Sequence, residues 1–328
     1  MYVSCFHGHF GTKVHRSEDG GHVWEEVACP EYPARPEGLE EREGPLGMSP
    51  PPWKLHKIWA LQAGHESRSG ELWCGTIPGG LFRSGDSGAS WELNRPLWEM
   101  EARLDWFGGG EDWPGIHSIG VDPRDSDRLM VAVSCGGVWE TRDGGNSWQS
   151  RAAGMVAEYM PPEHADNPNI QDPHCVAWCQ SDPGVMWAQH HNGVFVSRNG
   201  GKLWHSVEDI DPSVFGFAVA VHPRDGDMAW LVPAVKDECR IPVDGKVVVT
   251  RTRDGGKTWQ ALSDGLPQED AYDIVFRHAL DVDASGDKVA FGSTTGSLWI
   301  SENQGDGWET FSTNLPPVYC VRFAEGGS

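Results

Sequence analysis

Short apolar runs, each closed by Gly, Pro, Asn or Asp, recur along the whole chain. They group in threes. A first run often ends in Asp-Pro or His-Pro, as at 118–123 and 217–223. A second run follows, as at 129–132, and a third begins with Gly, as at 137–140 and 193–196. Runs this short, separated by turn residues, predict antiparallel β-strands rather than helices.

An eight-residue pattern, Ser/Thr-x-Asp/Asn-x-Gly-x-x-Trp, follows each third run. It occurs six times, at 17–24, 84–91, 141–148, 197–204, 252–259 and 301–308. The Asp or Asn side chain can bond backbone N–H groups within a turn, and Gly supplies a positive φ. The Trp is expected to open a fourth strand and pack over the corner. The pattern therefore predicts the turn between the third and fourth strands of each repeat.

Six repeats of about 55 residues with four strands each predict an all-β fold, a six-bladed β-propeller with four-stranded antiparallel blades. The N-terminus begins at a second strand, Met1 to Cys5. The C-terminus ends in an unpartnered first strand, Tyr319 to Phe323. We expect this C-terminal strand to join the N-terminal blade and close the ring, which removes an exposed sheet edge. One domain over residues 1–328 is the predicted organisation.

The six turns resemble Asp-box (BNR) repeats, which occur in sialidases and related glycoside hydrolases, sortilin-type receptors and photosystem assembly factors. The chain most resembles bacterial BNR-repeat proteins of the sialidase-like or glycosyl-hydrolase-like group. This resemblance implies a hydrolase and leaves the substrate open. Sialidases carry Arg-Ile-Pro ahead of their first Asp box, whereas Arg240-Ile241-Pro242 precedes the fifth box here. This departure and the scarcity of Tyr argue against a true sialidase.

The charge of the chain limits the classes of partner that it can bind. The formal net charge is −22 and no basic run is present, which argues against nucleic acid. No run approaches 18 apolar residues, so no membrane span is expected. The first residues lack the pattern of a signal peptide, which predicts a soluble, cytoplasmic protein. The eight cysteines contain no C-x-x-C pair and are expected to be free thiols.

Candidate catalytic residues lie in the connections at the end of the propeller opposite the six turns. They are His117, His174, His190, His278, Asp172 and Asp237. The histidines could act as general acid or base. His117, His174, His190 and His278 could instead hold a metal as cofactor, because imidazole suits Zn, Mn and Fe. A third interpretation is a polar channel lining without chemistry.

Candidate substrate-binding residues come from the same connections. Lys236, Arg240 and Arg277 could clamp an anion. The others are His191, Asn192, Tyr159 and Trp106. The leading hypothesis is a hydrolase or lyase acting on a small-molecule, anionic or carbohydrate-like substrate. The alternatives are a non-catalytic binding or assembly propeller and a metal-dependent enzyme with a histidine-ringed site.

Overall fold

The computed structural model describes residues 1–39, 41–44 and 47–324. Within these residues the regular structure is almost entirely β, with six antiparallel sheets, one short α-helix, α1 (Arg95–Trp98), and two short 3-10 helices, Glu101–Asp105 and Val243–Gly245. Each of the six sequence repeats forms one sheet whose strands pair in chain order, which is the blade of a β-propeller. The predicted all-β propeller fold is therefore confirmed. The single domain over residues 1–328 stays a prediction.

The chain divides into two compact units, and the first is built mainly from Met1–Ala152. Its strands are β1 (Tyr2–His7), β2 (Gly11–Arg16), β3 (Glu25–Val27), β4 (Lys57–Ala63), β5 (Leu72–Ile77), β6 (Leu81–Ser84), β7 (Glu92–Leu93), β8 (Ile116–Val121), β9 (Leu129–Val133), β10 (Gly137–Thr141) and β11 (Gln149–Ser150). They form the sheets β1–β3, β4–β7 and β8–β11. Buried Trp73, Leu97, Trp106 and Trp139 belong to one core cluster of this unit.

The second unit is built mainly from the residues that follow Pro173. Its strands are β12 (Pro173–Trp178), β13 (Met186–His190), β14 (Gly193–Ser197), β15 (His205–Val207), β16 (Gly216–Val221), β17 (Ala229–Pro233), β18 (Val249–Thr252), β19 (Gln260–Leu262), β20 (Leu280–Val282), β21 (Val289–Gly292), β22 (Leu298–Ser301) and β23 (Glu309–Ser312). They form the sheets β12–β15, β16–β19 and β20–β23. The largest core cluster of this unit contains Trp230, Phe291, Trp299 and Trp308.

The six repeated turns share one hydrogen-bond scheme. In every copy the Ser or Thr hydroxyl donates to the Asp or Asn Oδ1 at 2.7–3.0 Å, and the Gly N–H donates to that hydroxyl at 2.8–3.0 Å. The Gly φ lies between +77° and +95°, a region open mainly to glycine. The last strand of each sheet starts one residue after the Trp. These observations confirm the predicted turn.

The predicted closing strand pairs differently from the expectation. Within the described residues the first sheet has three strands, β1–β3, rather than four. Cys320 forms a parallel bridge to His278, and Val321 N–H donates to the His278 carbonyl at 2.9 Å. Phe323 N–H donates to the Asp281 carboxylate at 2.8 Å. The expected antiparallel pairing is corrected accordingly, because these bonds align the terminal segment with the innermost edge of the last sheet.

Candidate functional site

An aromatic–histidine cluster lies in the second unit where β12 and β16 begin. We define it as Tyr159, His174, His191, Phe215 and Phe217. His174 is the second residue of β12, and His191 directly follows β13. Phe215 and Phe217 flank Gly216 at the start of β16, where two-residue spacing places their side chains on the same face. Neighbouring strand ends of two adjacent sheets therefore supply the cluster.

The rings of the cluster contact one another in sequence. His174 stacks on Phe217 with ring centroids 4.6 Å apart and an interplanar angle of 15°. His191 meets His174 edge to face at 5.5 Å and Tyr159 at 5.1 Å. Phe215 lies 5.4 Å from Phe217. These contacts form a continuous row of rings that runs from the exposed Tyr159 to the buried Phe217.

His174 has a fixed ring orientation. Its Nδ1 lies 2.7 Å from the carbonyl oxygen of Gly216, and a carbonyl only accepts, so Nδ1 is the donor. In the neutral ring the lone pair therefore resides on Nε2. The residue is only 2% exposed, whereas the adjacent His191 is half-buried. His191 is therefore the more accessible imidazole of the pair.

Two of the predicted anion-binding arginines lie over the cluster. The Arg240 guanidinium is 5.2 Å from the centre of the Phe217 ring, and the Arg277 guanidinium is 5.5 Å from it. Arg240 also pairs with Asp237 at 2.5 Å, and Lys236 pairs with Glu238 at 3.5 Å. Each cation of the charged loop at 236–240 is thus paired with an acid of the same loop. Arg277 lies outside this loop, just ahead of β20.

The remaining predicted residues of the second unit border the cluster or lie apart from it. Asn192 follows His191, and its Oδ1 accepts from the Glu158 N–H at 2.9 Å, which holds the loop that carries Tyr159. His190 is buried, packs edge-on against Phe195 at 5.2 Å, and accepts from the Asn192 N–H at its Nδ1. The His278 carbonyl accepts hydrogen bonds from the Val321 N–H and from Arg322 Nη1 of the terminal segment.

Three predicted residues are held by contacts of the first unit. His117 on β8 meets Trp59 edge to face at 5.7 Å, and its Nδ1 lies 2.9 Å from Ser118 Oγ. Trp106 is 3% exposed and contacts Trp139. The Asp172 carboxylate accepts from Ser134 Oγ at 3.1 Å and from the Cys135 N–H at 3.0 Å.

The predicted metal ligands are divided between the two units. His117 lies in the first unit, whereas His174, His190 and His278 lie in the second. A metal-dependent site stays a prediction.

Sequence reasoning missed the phenylalanines of the cluster. The signal was present, because Phe215-Gly216-Phe217 opens a first strand with two bulky residues on one face and no side chain between them. A Cβ at Gly216 would lie 2.9 Å from the Val232 carbonyl oxygen.

Curated relatives with detectable similarity are xyloglucanases. The chain is 23% identical over 293 residues to the oligoxyloglucan-reducing end-specific xyloglucanase of Emericella nidulans, covering 78% of this chain and 32% of the relative. It is 22% identical over 286 residues to a xyloglucanase of a Paenibacillus species, covering 77% of this chain and 25% of the relative. The chain therefore spans about a third or less of the length of these relatives. No family model matches it.

Solved structures show the same fold at low identity. A crystal structure described as an ancestral GH74 enzyme has a TM-score of 0.61 and 18% identity, covering 91% of this chain and 36% of the other. The structure of YCF48 bound to D1 peptide has a TM-score of 0.57 and 14% identity, covering 95% and 79%. Among the described residues, no helix has the length and apolar character to cross a membrane.

Proposed function

We propose that this chain is a carbohydrate-active propeller of the hydrolase type, with its substrate bound at the aromatic–histidine cluster. The observation that carries the proposal is the continuous row of rings that starts at the partly exposed Tyr159 and ends beneath two guanidinium groups. The xyloglucanase relatives support an oligosaccharide as substrate. The six repeated turns support the finer assignment to the sialidase-like BNR group.

The cluster offers the two kinds of contact that a sugar needs. Tyr159 is 38% exposed and presents an apolar ring with a polar hydroxyl. His191 and Arg277, both half-buried, add polar groups that fix the orientation of a ligand. A largely apolar surface with a few well-placed polar groups is typical of small-ligand sites.

The two histidines have different roles in this proposal. His191 is accessible and serves as the acid or base that contacts the substrate. His174 is buried against Phe217 and bonded to the Gly216 carbonyl, so it positions His191 through their edge-to-face contact. The sequence-based prediction of His174 as a catalytic residue is thereby refined to a positioning role.

A second candidate function is carbohydrate binding without hydrolysis. Glycoside hydrolysis generally uses two carboxyl groups, one of which acts as an acid. In the charged loop beside the cluster, Asp237 is paired with Arg240 and Glu238 with Lys236. Carboxylates held in ion pairs favour a binding surface over an acid–base pair.

Xyloglucan oligosaccharides test both candidates. We expect the wild-type chain to bind them by calorimetry and to release new reducing ends. His191→Ala should lower kcat by about 10²- to 10⁴-fold, as expected for a lost general acid or base. Tyr159→Ala should mainly raise KM, because the Tyr159 ring contacts the substrate equally in the ground state and in the transition state.

His205→Ala is the matched control, because His205 is an exposed histidine of the same unit on β15. It should leave binding and turnover unchanged. Binding that is lost in His191→Ala without any wild-type hydrolysis would establish the non-catalytic candidate. Wild-type protein that neither binds nor cleaves the oligosaccharides would overturn both.

A further inference from the structure

A second aromatic pair of the same unit, Phe276 and Tyr319, adjoins the aromatic–histidine cluster. The Phe276 ring lies 5.0 Å from the buried Phe217 ring, and the Tyr319 ring lies 6.1 Å from Phe276 at an interplanar angle of 24°. Phe276 is half-buried, and Tyr319 is 59% exposed. The ring contacts therefore lead from the interior of the cluster back to the surface at a second tyrosine, far from Tyr159 in sequence.

Backbone hydrogen bonds hold Tyr319 on both sides along the chain. The preceding residue, Val318, donates its N–H to the Ser293 carbonyl at 2.9 Å. Two residues after Tyr319, Val321 donates its N–H to the His278 carbonyl at 2.9 Å. A ring whose backbone is already fixed loses little conformational entropy when a ligand covers it. Tyr319 is therefore arranged in advance as a surface for stacking.

The backbone that holds Tyr319 also positions a carboxylate. Ser293 donates its Oγ–H to Asp273 Oδ1 at 2.7 Å, and the Thr295 hydroxyl donates to the same oxygen. The Thr294 N–H donates to the Ile274 carbonyl at 3.0 Å, which joins the two loops that carry these side chains. Asp273 is half-buried. An oriented and partly exposed carboxylate can accept hydrogen bonds from the hydroxyl groups of a ligand.

Tyr319 differs in exposure from the aromatic residues that fill the core of this unit. Trp230, Phe291 and Trp299 are at most 1% exposed, whereas 59% of Tyr319 remains accessible. A ring that served only to fill the core would be removed from water. An exposed tyrosine presents an apolar face and a polar hydroxyl. A sugar ring has the complementary surfaces, a C–H face and a rim of hydroxyl groups.

The charge at this position favours a neutral sugar. Within the described residues, the hydrogen-bond partners of Asp273 are two uncharged hydroxyls, those of Ser293 and Thr295. A carboxylate on the ligand would be repelled by Asp273, and the chain carries a formal net charge of −22. The hydroxyl groups of a neutral sugar can donate to Asp273 instead.

We propose that Tyr319 and Asp273 form a second sugar-binding position of the site in this unit. One sugar ring stacks on Tyr319 and donates hydrogen bonds to Asp273, while another contacts Tyr159. The substrate is then a neutral oligosaccharide of several rings rather than a single or an acidic sugar. This proposal rests on the carbohydrate function proposed above and specifies the length and the charge of its substrate.

Isothermal titration calorimetry with a xyloglucan heptasaccharide and with a disaccharide from the same polymer tests the second position. We expect the wild-type chain to bind the heptasaccharide at least about tenfold more tightly. Tyr319→Ala should weaken heptasaccharide binding about tenfold, because it removes the stacking ring, whereas Tyr319→Phe should stay within about twofold of the wild type. Phe311→Ala is the matched control, because Phe311 is an exposed aromatic residue on β23 of the same unit, and it should bind like the wild type.

Asp273 provides an independent measurement. Asp273→Ala should weaken heptasaccharide binding about fivefold, and Asp273→Asn should weaken it less, because the amide oxygen still accepts hydrogen bonds. An anionic oligogalacturonate of the same length should bind at least about tenfold more weakly than the neutral heptasaccharide. Asp273→Asn should narrow this difference, because it removes the repelling charge.

The outcomes separate the second position from the function on which it rests. Heptasaccharide binding that is lost in Tyr159→Ala but unchanged in Tyr319→Ala and Asp273→Ala would overturn the second position and leave the carbohydrate function intact. Equal affinity of the wild-type chain for the oligogalacturonate would overturn the neutral class of substrate. Wild-type protein that binds none of these saccharides would overturn the carbohydrate function and the second position together.

Discussion

The third and fifth sheets carry side chains of different charge at the same backbone position, the turn after the first strand. Strand β8 is followed by Asp122-Pro123, and β16 is followed by His222-Pro223. Asp122 Oδ1 accepts from the N–H two residues on at 2.9 Å, and His222 Nδ1 makes the same bond at 3.1 Å. A carboxylate and an imidazole thus close equivalent turns.

The side chains around these turns differ in charge. In the third sheet, buried Arg128 bridges Asp122 at 2.6 Å and Glu140 at 2.7 Å. The equivalent position in the fifth sheet is the buried Met228. His222 there stacks on Trp230, with ring centroids 6.2 Å apart.

The fold therefore tolerates either a buried ion cluster or an apolar stack at this corner. Buried ion pairs are costly to desolvate, and apolar replacements are often neutral when every partner is exchanged together. The ion cluster is consequently sensitive to the loss of any single member. The apolar stack has no such dependence.

Arg128→Met, which installs the residue of the fifth sheet, should have the largest effect. It leaves the buried Asp122 and Glu140 without their shared cation and should lower the free energy of unfolding by about 3 kcal/mol. Urea denaturation followed by tryptophan fluorescence measures this. Arg142→Met is the control, because Arg142 is exposed and also contacts Glu140, and it should cost less than about 1 kcal/mol. Equal costs would contradict the distinction between buried and exposed partners.

Acid should weaken the first unit more than the second. Hydrogen bonds within the turns, led by those from Ser90 and Ser147, lower the pKa of Asp86 and of Asp143 to about 2. A depressed carboxyl pKa gives stability above the unfolded pKa of about 4, and this stability is lost as the pH falls toward 2.

Two turns of the second unit have Asn199 and Asn303 at this position, which do not titrate. Asp86→Asn with Asp143→Asn should therefore flatten the dependence of the urea midpoint on pH between about 4 and 2. Asn303→Asp, the reverse exchange, should steepen it. If the double variant keeps the pH dependence of the wild-type protein, the loss of stability in acid does not come from these turns.

His222 should give the smallest effect. Burial, the leading cause, lowers the pKa of this imidazole, so the folded protein binds its proton less readily than the unfolded chain. The stability that neutral His222 gives the folded protein is present above the unfolded pKa of about 6.5 and is lost as the pH falls below that value. His222→Gln should remove this slope from urea midpoints measured across that range, whereas His205→Gln, at an exposed position, should preserve it.

The fold was largely predictable because its signals are local. Each repeated turn contains its own donors, acceptor and glycine within eight residues, so the six copies could be recognised without any tertiary information. The pairing of the Tyr319 to Phe323 segment was not predictable in detail. It depends on the half-buried Asp281 carboxylate and the His278 carbonyl, which no pattern in the segment itself encodes.

The candidate site was predictable only in part. His174, His191 and Tyr159 were selected from their positions in connections, and the structure places their rings in contact. The ion pair of Asp237 with Arg240 depends on side-chain geometry across a short, exposed loop. The stacking of His174 on Phe217 depends on which two sheets are neighbours. Neither relation is visible in spacing along the chain.

The self-contained bonding of the repeated turns also bears on how such a chain can change. In the second repeat, for example, the Ser84 hydroxyl, the Asp86 carboxylate and the Gly88 N–H bond one another and Ser90 of the same turn. A duplicated segment therefore carries a complete corner with it, whatever sequence flanks it. Gene duplication can copy such a unit while point mutations revise its loops, so the chemistry of one blade can diverge without altering the corners of the others.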